Sequence, residues 1–283
     1  MAQNIVIIGN GMIAHRLLER LSEAGSDLRL TVIGEEGRSY DRVHLTDYFE
    51  NRSAESLYLC APEWYHANNI TLIPGRAVAI DRDAKTVALQ NGETVCYDRL
   101  VLATGSSAFI PPFQGNDRPD VFVYRTIEDV ERIYARCSSA RTAAVIGGGL
   151  LGLEAAKAVH GLKVETHVIE FAERLIPRRL DADGAALLKE KIEELGIKIH
   201  LGKQTTHVTG DEGHLMHFSD GTELAVDMII ISAGIRPRDE LAKACGLDVA
   251  SRGGVVVNEF MQTNGTPART PVLIRAACYW LAA

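Results

Sequence analysis

The residues best placed to do chemistry lie in Gly147-Gly-Gly149-Leu-Leu-Gly152, which follows the apolar run Ala143 to Ile146 and leads into the helix-forming run Leu153 to Val159. Each glycine of a G-x-G-x-x-G turn between strand and helix has its own steric task. Gly147 permits the tight turn, Gly149 lets the backbone approach a pyrophosphate, and Gly152 lets the helix pack on the strand. The helix N-terminus adds unpaired N–H groups and a positive dipole end, which suit phosphate. His160-Gly161 is expected to stop the helix, and Val164 to Ile169 reads as the next strand. Glu170 closes that strand 23 residues after Gly147. A carboxylate there accepts hydrogen bonds from a ribose 2′-hydroxyl and repels a 2′-phosphate, so the pattern points to NADH rather than NADPH. Glu154, two residues past Gly152, is the charged side chain placed to reach toward the reacting rings. It equally suits a solvent-facing helix position.

A second version of the motif opens the chain. Asn4 to Ile8 is an apolar strand, and Gly9-x-Gly11-x-x-Ala14 starts a helix with Ile13, Leu17, Leu18 and Leu21 at helical spacing before Gly25. Leu28 to Ile33 is the following strand, and Gly34-Glu35-Glu36 ends it. Glu35 is the first choice for a ribose contact, with a solvated turn as the alternative. Arg42, in the loop beyond, has the fork geometry to meet a pyrophosphate and is equally suited to a surface ion pair.

The elements that must position these groups are themselves repeated. Thr86 to Leu89 and Glu93 to Cys96 flank Asn91-Gly92, and Asp98 to Gly105 follows. His214 to Phe218 and Thr222 to Val226 flank Asp220-Gly221, and Asp227 to Gly234 follows. Both turn dipeptides favour hairpins. Turn glycine to aspartate spans six residues in each copy, and aspartate to closing glycine spans seven. The pattern predicts an α/β fold of two three-layer Rossmann-like dinucleotide-binding domains, the second inserted into the first. Expected boundaries are 1–116 for the first segment of the first domain, 117–240 for the second domain, and 241–283 for the return segment. Pro111-Pro112 and Gly115 to Pro119 read as the linker. Thr126-Ile-Glu-Asp129 reads as a capping box for a helix through Cys137. Ala182 to Leu195 reads as a packing helix with Leu187, Leu188, Ile192 and Leu195 on one face, ending at Gly196.

Bulk properties narrow the function. The 283 residues are 46% apolar, enough for a sizeable core, and the net charge of −7 with no basic cluster argues against a nucleic-acid surface. The start of the chain has no signal-peptide pattern and no apolar run reaches transmembrane length, so no membrane partner and a cytoplasmic location are expected. The nearest pair of the five cysteines, Cys245 and Cys278, is 33 residues apart, which predicts structural thiols rather than a redox or metal pair. His214 and His217 should face opposite sides of a strand, so no metal site is expected.

Two dinucleotide sites without a cysteine pair or metal ligands imply a flavin at one and a nicotinamide at the other. GNGMIAHR, YDRVHLTDYF, YDRLVLATGS, FVYRTIEDV, GGGLLGLEAA, ETHVIEFA, SAGIRPRDELA and RGGVVVNEFMQT together resemble the N-terminal flavoprotein region of NADH-dependent nitrite reductase large subunits, over about Ile5 to Thr263. These belong to the rubredoxin reductase-like branch of the pyridine nucleotide-disulfide oxidoreductases, which implies that the two domains are of the glutathione-reductase type. The resemblance implies FAD on Gly9, Gly11, Ala14, Glu35, Arg42 and the Thr104-Gly105 turn. It implies NADH on Gly147, Gly149, Gly152, Glu154, Glu170 and Gly234.

Asp47 stands where rubredoxin- and ferredoxin-reducing relatives often carry a lysine that pairs with the glutamate matching Glu154, which favours the nitrite-reductase branch. There electrons leave FAD for iron–sulfur and siroheme centres, and nitrite becomes ammonium. Those cysteine-rich regions are not in this chain. After Thr263 the family pattern DPxIYAxGE or DPxIYAxGD, whose acid helps hold the flavin, gives way to a tail without Asp or Glu from Met261 to Ala283. This predicts a truncation or frame change, weakened FAD retention, and Val272 to Ile274 as the one candidate replacement strand. Three functions therefore stand side by side: an electron-input module, a stand-alone reductase of a small carrier protein, and a non-catalytic fragment.

Overall fold

The computed structural model describes residues 2–24, 27–210 and 213–264. The expectations for Gly25, for Cys278 and for the tail beyond Asn264, including strand pairing by Val272 to Ile274, lie outside these residues. The chain divides into two compact units. One comprises the residues up to Arg42, Leu57–Ser107 and those from Arg236 onward; the other comprises Val43–Ser56 and Ala108–Ile235.

The first unit is built on a four-stranded parallel sheet in the order Ile70–Pro74, Leu28–Gly34, Gln3–Ile8, Arg99–Leu102. Ile7 stands opposite Val32 on one side and Val101 on the other. Alternation along the strands divides their apolar residues between two covered faces. Ile7, Val32 and Val101 pack with Ala14 and Leu18 of the helix Met12–Glu23. Val6, Ile8, Ile33 and Leu100 pack with Val87 and Leu89 of an antiparallel sheet, with Ala242 of the helix Glu240–Ala244 and with Leu247 just beyond it. Three layers result. Of the expected stripe on the first helix, Leu18 is fully buried and Ile13 is exposed.

The second unit repeats the plan with a five-stranded parallel sheet ordered Lys198–His200, Glu165–Ile169, Thr142–Ile146, Met228–Ile231, Val121–Val123. Val145 stands between Val168 and Ile230. Ala144, Ile146, Ile169, Ile229 and Ile231 pack on Met216, Phe218 and Val226 of the sheet formed by Thr205–Thr209, His214–Phe218 and Glu223–Val226. Ala155, Ala156 and Val159 bury the opposite side beneath the helix Leu150–Gly161. The helix Ile127–Cys137 carries the expected capping box: Thr126 Oγ1 accepts from Asp129 N, and Asp129 accepts in return from Thr126 N.

The repeat holds at the level of single hydrogen bonds. Asn4 N donates to the Asp98 carboxylate at 2.8 Å while Asp98 N donates to Asn4 O at 2.8 Å. Thr142 N and Asp227 do the same at 2.9 and 3.0 Å. In the hairpins Leu89 N donates to Glu93 O and Phe218 N to Thr222 O, and Gly92 and Gly221 adopt φ of 89° and 80°. Phe109 N donates to Gly234 O at 2.9 Å, so the long segment of the second unit enters and leaves at one point.

Several expectations differ from the structure in detail. The units part at Ser107/Ala108 and Ile235/Arg236 rather than near 116/117 and 240/241. The expected linker belongs to the second unit because Phe113 is buried in its core and Gln114 O accepts from Val208 N. Arg238 belongs to the first unit, where its N–H donates to Gly105 O at 3.0 Å. The excursion Val43–Ser56 also lies in the second unit, where Phe49 contacts Tyr124 and Tyr134. The helix after the second fingerprint runs through Gly161, and Lys163, with φ of 69°, makes the left-handed turn. In the helix Ala182–Glu194 the buried residues are Ala185 and Ile192, while Leu187 and Leu195 are exposed.

Candidate functional sites

In the first unit Gly9 turns the chain at φ of 103° between strand and helix, and its N–H donates to Ile33 O at 2.8 Å. A Cβ there would sit 2.2 Å from Ala103 O, so the position admits only glycine. Gly11 is the N-cap of Met12–Glu23 in extended conformation, with no side-chain cap, and the space beside its Cα is open. The first turn of the helix therefore presents N–H groups to whatever fills that space. Ala14, the third fingerprint position, is fully buried. Asn10 is clamped through Nδ2 to Gly37 O at 2.6 Å and Tyr65 OH at 2.8 Å, and its buried Oδ1 has no hydrogen-bond partner among the described residues.

Glu35, at the end of Leu28–Gly34, pairs with Arg238 at 3.1 Å and with Arg76 at 3.5 Å. Glu36 is held by the Tyr40 hydroxyl and by Arg42 at 2.6 Å. Burial works against its charge, but the bonds from Arg42 and Tyr40 outweigh it and hold the carboxyl below its ordinary range. Arg42 also donates to the Tyr40 hydroxyl oxygen at 2.5 Å and lies over that ring, so its guanidinium is tied into an internal ion pair with Glu36 in this geometry. Thr104 Oγ1 donates to Arg238 O at 2.6 Å and Gly105 turns at φ of 67°. Arg238 thus braces the Thr104-Gly105 turn with its backbone and Glu35 with its side chain. Sequence reasoning missed Arg238 and Asn10; the only signal was their place in quoted stretches, since neither lies at a fingerprint position.

In the second unit Gly147 turns at φ of 122°, donates to Ile169 O at 2.8 Å, and has Ser232 O 2.3 Å from the place of a Cβ. Gly152 is packed just as tightly, with Gly147 O 2.0 Å from its Cβ position. Gly149 is the extended, uncapped N-cap of Leu150–Gly161, with open space beside it. The three glycines therefore divide between two that the fold itself requires and one that it does not. Gly234, at φ of 113°, is also open.

Glu170 accepts from Gly148 N at 2.5 Å and from Ala172 N at 2.8 Å, one bond to each carboxylate oxygen. A carboxylate has about four acceptor positions, so both oxygens retain capacity for a ligand hydroxyl. Glu154 is solvent-accessible on the fingerprint helix. Burial of its inner part raises the carboxyl pKa, and His44 opposes the shift. Tyr124, which the sequence did not single out, is buried nearby, where burial and the Glu154 charge push its pKa upward.

Other titratable groups lie outside these sites. His214 is buried and His217 faces the other side of its strand, stacked on His207 with centroids 4.1 Å apart. Cys137 is buried, which pushes its thiol up to about 11 and makes it unreactive. Among the described residues no group of three or more His, Cys, Asp or Glu could hold a metal ion, and no helix is long and apolar enough to cross a membrane.

A family model described as pyridine nucleotide-disulphide oxidoreductase matches residues 3–268. The chain is 48% identical to the nitrite reductase (NADH) large subunit of Escherichia coli K12 over 92% of its length, which is 32% of that protein. It is 35% identical to the assimilatory nitrate reductase electron transfer subunit of Bacillus subtilis 168, covering 34% of it. The chain thus spans about a third of the length of these relatives. Among solved structures it resembles a ferredoxin reductase from Rhodopseudomonas palustris, with a TM-score of 0.89 at 27% identity over 97% of this chain and 67% of that one. It also resembles the covalent putidaredoxin reductase–putidaredoxin complex, with a TM-score of 0.87 at 30% identity, covering 98% of this chain and 67% of that one.

Proposed function

Because this chain belongs to the pyridine nucleotide-disulphide oxidoreductase family, we propose that it is an electron-input module, with FAD held by the first unit and NADH by the second. The carrying observation is that each unit presents the same cradle. Gly11 and Gly149 are extended N-caps without side-chain caps beside open space, and each is preceded by a glycine turn that no other residue could make.

The residues present fit both groups. Gly9, Gly11, Ala14, Glu35, Arg42, Thr104 and Gly105 would hold FAD, and the unpartnered Asn10 Oδ1 offers it an additional acceptor. Gly147, Gly149, Gly152, Glu170 and Gly234 would hold NADH, with Glu154 toward its reacting end. FAD and NADH when bound supply the redox chemistry, two electrons and a proton passing as hydride from dihydronicotinamide to flavin. The chain's own contribution is to place phosphates on two helix N-termini and to select the ribose. Glu170, already anchored by Gly148 and Ala172, meets a 2′-hydroxyl with its free lone pairs and repels a 2′-phosphate, so NADH is preferred to NADPH.

The identity to the Escherichia coli large subunit supports nitrite reduction as the reaction its electrons serve; iron–sulfur and siroheme centres as the route, ammonium as the product and a cytoplasmic setting are what the sequence resemblance and pattern imply. The likeness to the putidaredoxin reductase complex supports a small redox protein as the other acceptor.

The experiment is the visible spectrum of the purified, FAD-reconstituted chain before and after anaerobic addition of NADH. Flavin bands that bleach establish both sites. A protein that stays colourless in excess FAD removes the enzyme reading.

A further inference from the structure

Asn10 lies between Gly9 and Gly11 of the first fingerprint, and its side chain crosses the end of the strand Leu28–Gly34, where a Cβ on Gly34 would sit 2.6 Å from Asn10 Cβ. The bare glycine lets the amide pass. Beyond it, Asn10 Nδ2 donates to Gly37 O at 2.6 Å and to Tyr65 OH at 2.8 Å. A carbonyl oxygen only accepts, so the nitrogen of the amide must be the atom that faces Gly37.

Tyr65, on the helix Glu63–Ala67, is 4% exposed. Its hydroxyl also accepts from Ser39 N at 3.2 Å and lies 3.2 Å from Ser39 Oγ. A phenol offers one proton and two acceptor positions; Asn10 and the Ser39 N–H fill the acceptors, so the proton goes to Ser39 Oγ. The hydroxyl is saturated. Ser39 is itself fully buried, and its carbonyl accepts from Leu59 N at 3.0 Å.

The loop that follows the strand is thereby fixed on both sides of Glu35. Gly34 O accepts from Gly75 N at 2.9 Å before it, and Gly37 and Ser39 are held by Asn10 and Tyr65 after it. Asn10 is part of the phosphate turn, so one buried network joins that turn to the loop carrying the carboxylate, and such networks rigidify what they join. All of these residues belong to the first unit.

We propose that Asn10 and Tyr65 are positioning residues: together they hold the Glu35 loop in fixed register with the phosphate turn, and so present Glu35 to the adenosine ribose of a dinucleotide whose phosphates lie on the helix Met12–Glu23. The ligand part rests on the first unit being the FAD site with Glu35 at the ribose; the coupling of turn to loop does not.

Backbone hydrogen exchange, followed by NMR on the ¹⁵N-labelled full chain, reads the coupling without any cofactor. Asn10→Leu keeps the bulk and removes the amide. It is expected to speed exchange of the Ser39 N–H about tenfold, although Asn10 does not touch that group, because the Tyr65 hydroxyl that receives it loses its other anchor. An unchanged Ser39 rate in folded Asn10→Leu overturns the proposal. Fluorescence titration then tests the ligand part with FAD, with an FAD analogue carrying 2′-deoxyribose in its adenosine half, and with NADH as a control in the same molecule. Asn10→Leu and Tyr65→Phe are each expected to weaken FAD about tenfold, to narrow its advantage over the analogue and to leave NADH affinity unchanged. The double variant should lose little more than either single one. Equal losses for FAD and analogue make the network merely structural and overturn the positioning of Glu35. Tyr65→Phe, which keeps the ring, carries the flavin comparison if Asn10→Leu does not fold. Faster Ser39 exchange in Asn10→Leu, with a wild-type chain that takes up no FAD, upholds the coupling and overturns the FAD reading of the site.

Discussion

The backbone N–H of Gly148, inside the second fingerprint, donates to the Glu170 carboxylate at 2.5 Å, so the residue assigned to the ribose also braces the phosphate loop. The two tasks are coupled. Glu170→Ala leaves a buried N–H unpaired and is expected to lower stability by about 1–3 kcal/mol, read as a lower midpoint of chemical denaturation. The same variant should bind NADH more weakly and narrow the NADH/NADPH preference, read by titrating each nucleotide. A variant with unchanged preference removes Glu170 from ribose selection.

The glycines separate folding from binding. Gly147→Ala places a Cβ 2.3 Å from Ser232 O at φ of 122°, so it should cost at least about 2–3 kcal/mol and give little folded protein. Gly149→Ala meets nothing within 4 Å, so stability should change by less than about 0.5 kcal/mol. Its Kd for NADH should nevertheless rise about tenfold or more, because the added methyl occupies space reserved for phosphate. Gly11→Ala should behave in the same way toward FAD. Wild-type affinity in these two variants, measured by calorimetry, would place the ligands elsewhere.

Arg238 offers a test within the first unit. Arg238→Ala removes the partner of Glu35 at 3.1 Å while leaving the backbone bonds to Thr104 and Gly105 in place. The pair is well exposed, so stability should fall by no more than about 1 kcal/mol. Glu35, left with the longer contact to Arg76, should shift and alter FAD affinity measurably by fluorescence titration, and an unaltered value separates Glu35 from the ribose.

Acid should destabilise the protein in a defined window. Burial lowers the pKa of His15, His167, His200 and His214 below their ordinary 6.5. The unfolded chain then binds more protons than the folded one as the pH falls through 6.5 toward the lowered values, so stability is full above that window and declines within it. Denaturation midpoints at pH 7.5 and 5.5 check the sign, and a midpoint that rises on acidification contradicts it.

Thr126→Ala removes the hydroxyl that accepts from Asp129 N and should cost about 1 kcal/mol, with Thr126→Ser restoring most of it. Thermal melts of the three proteins decide the matter.

Much of this was legible in the chain because strand, glycine turn and hairpin are local signals. Both fingerprints, both hairpin turns and the Thr126 cap lie where spacing puts them. The Leu187 and Leu195 stripe misled because apolar periodicity reports amphipathicity, whereas Ala185 and Ile192 are the residues that meet the core. The placement of Val43–Ser56 was invisible because its anchors, Tyr124 and Tyr134, are remote in sequence. Arg238 was missed for a similar reason: it acts through a backbone turn and a carboxylate some 200 positions away, Glu35, at a separation of 203 residues.

The hydrogen bond from Phe109 to Gly234 has a consequence for chain entropy. Once the segment between them has folded, its ends are already joined. For the first unit the whole insertion then acts as a short tight loop rather than a long floppy one, and the closure entropy, which grows with the logarithm of loop length, is largely removed. The strand Arg99–Leu102 and the segment from Arg236 can consequently be brought into one unit almost as readily as neighbours in sequence.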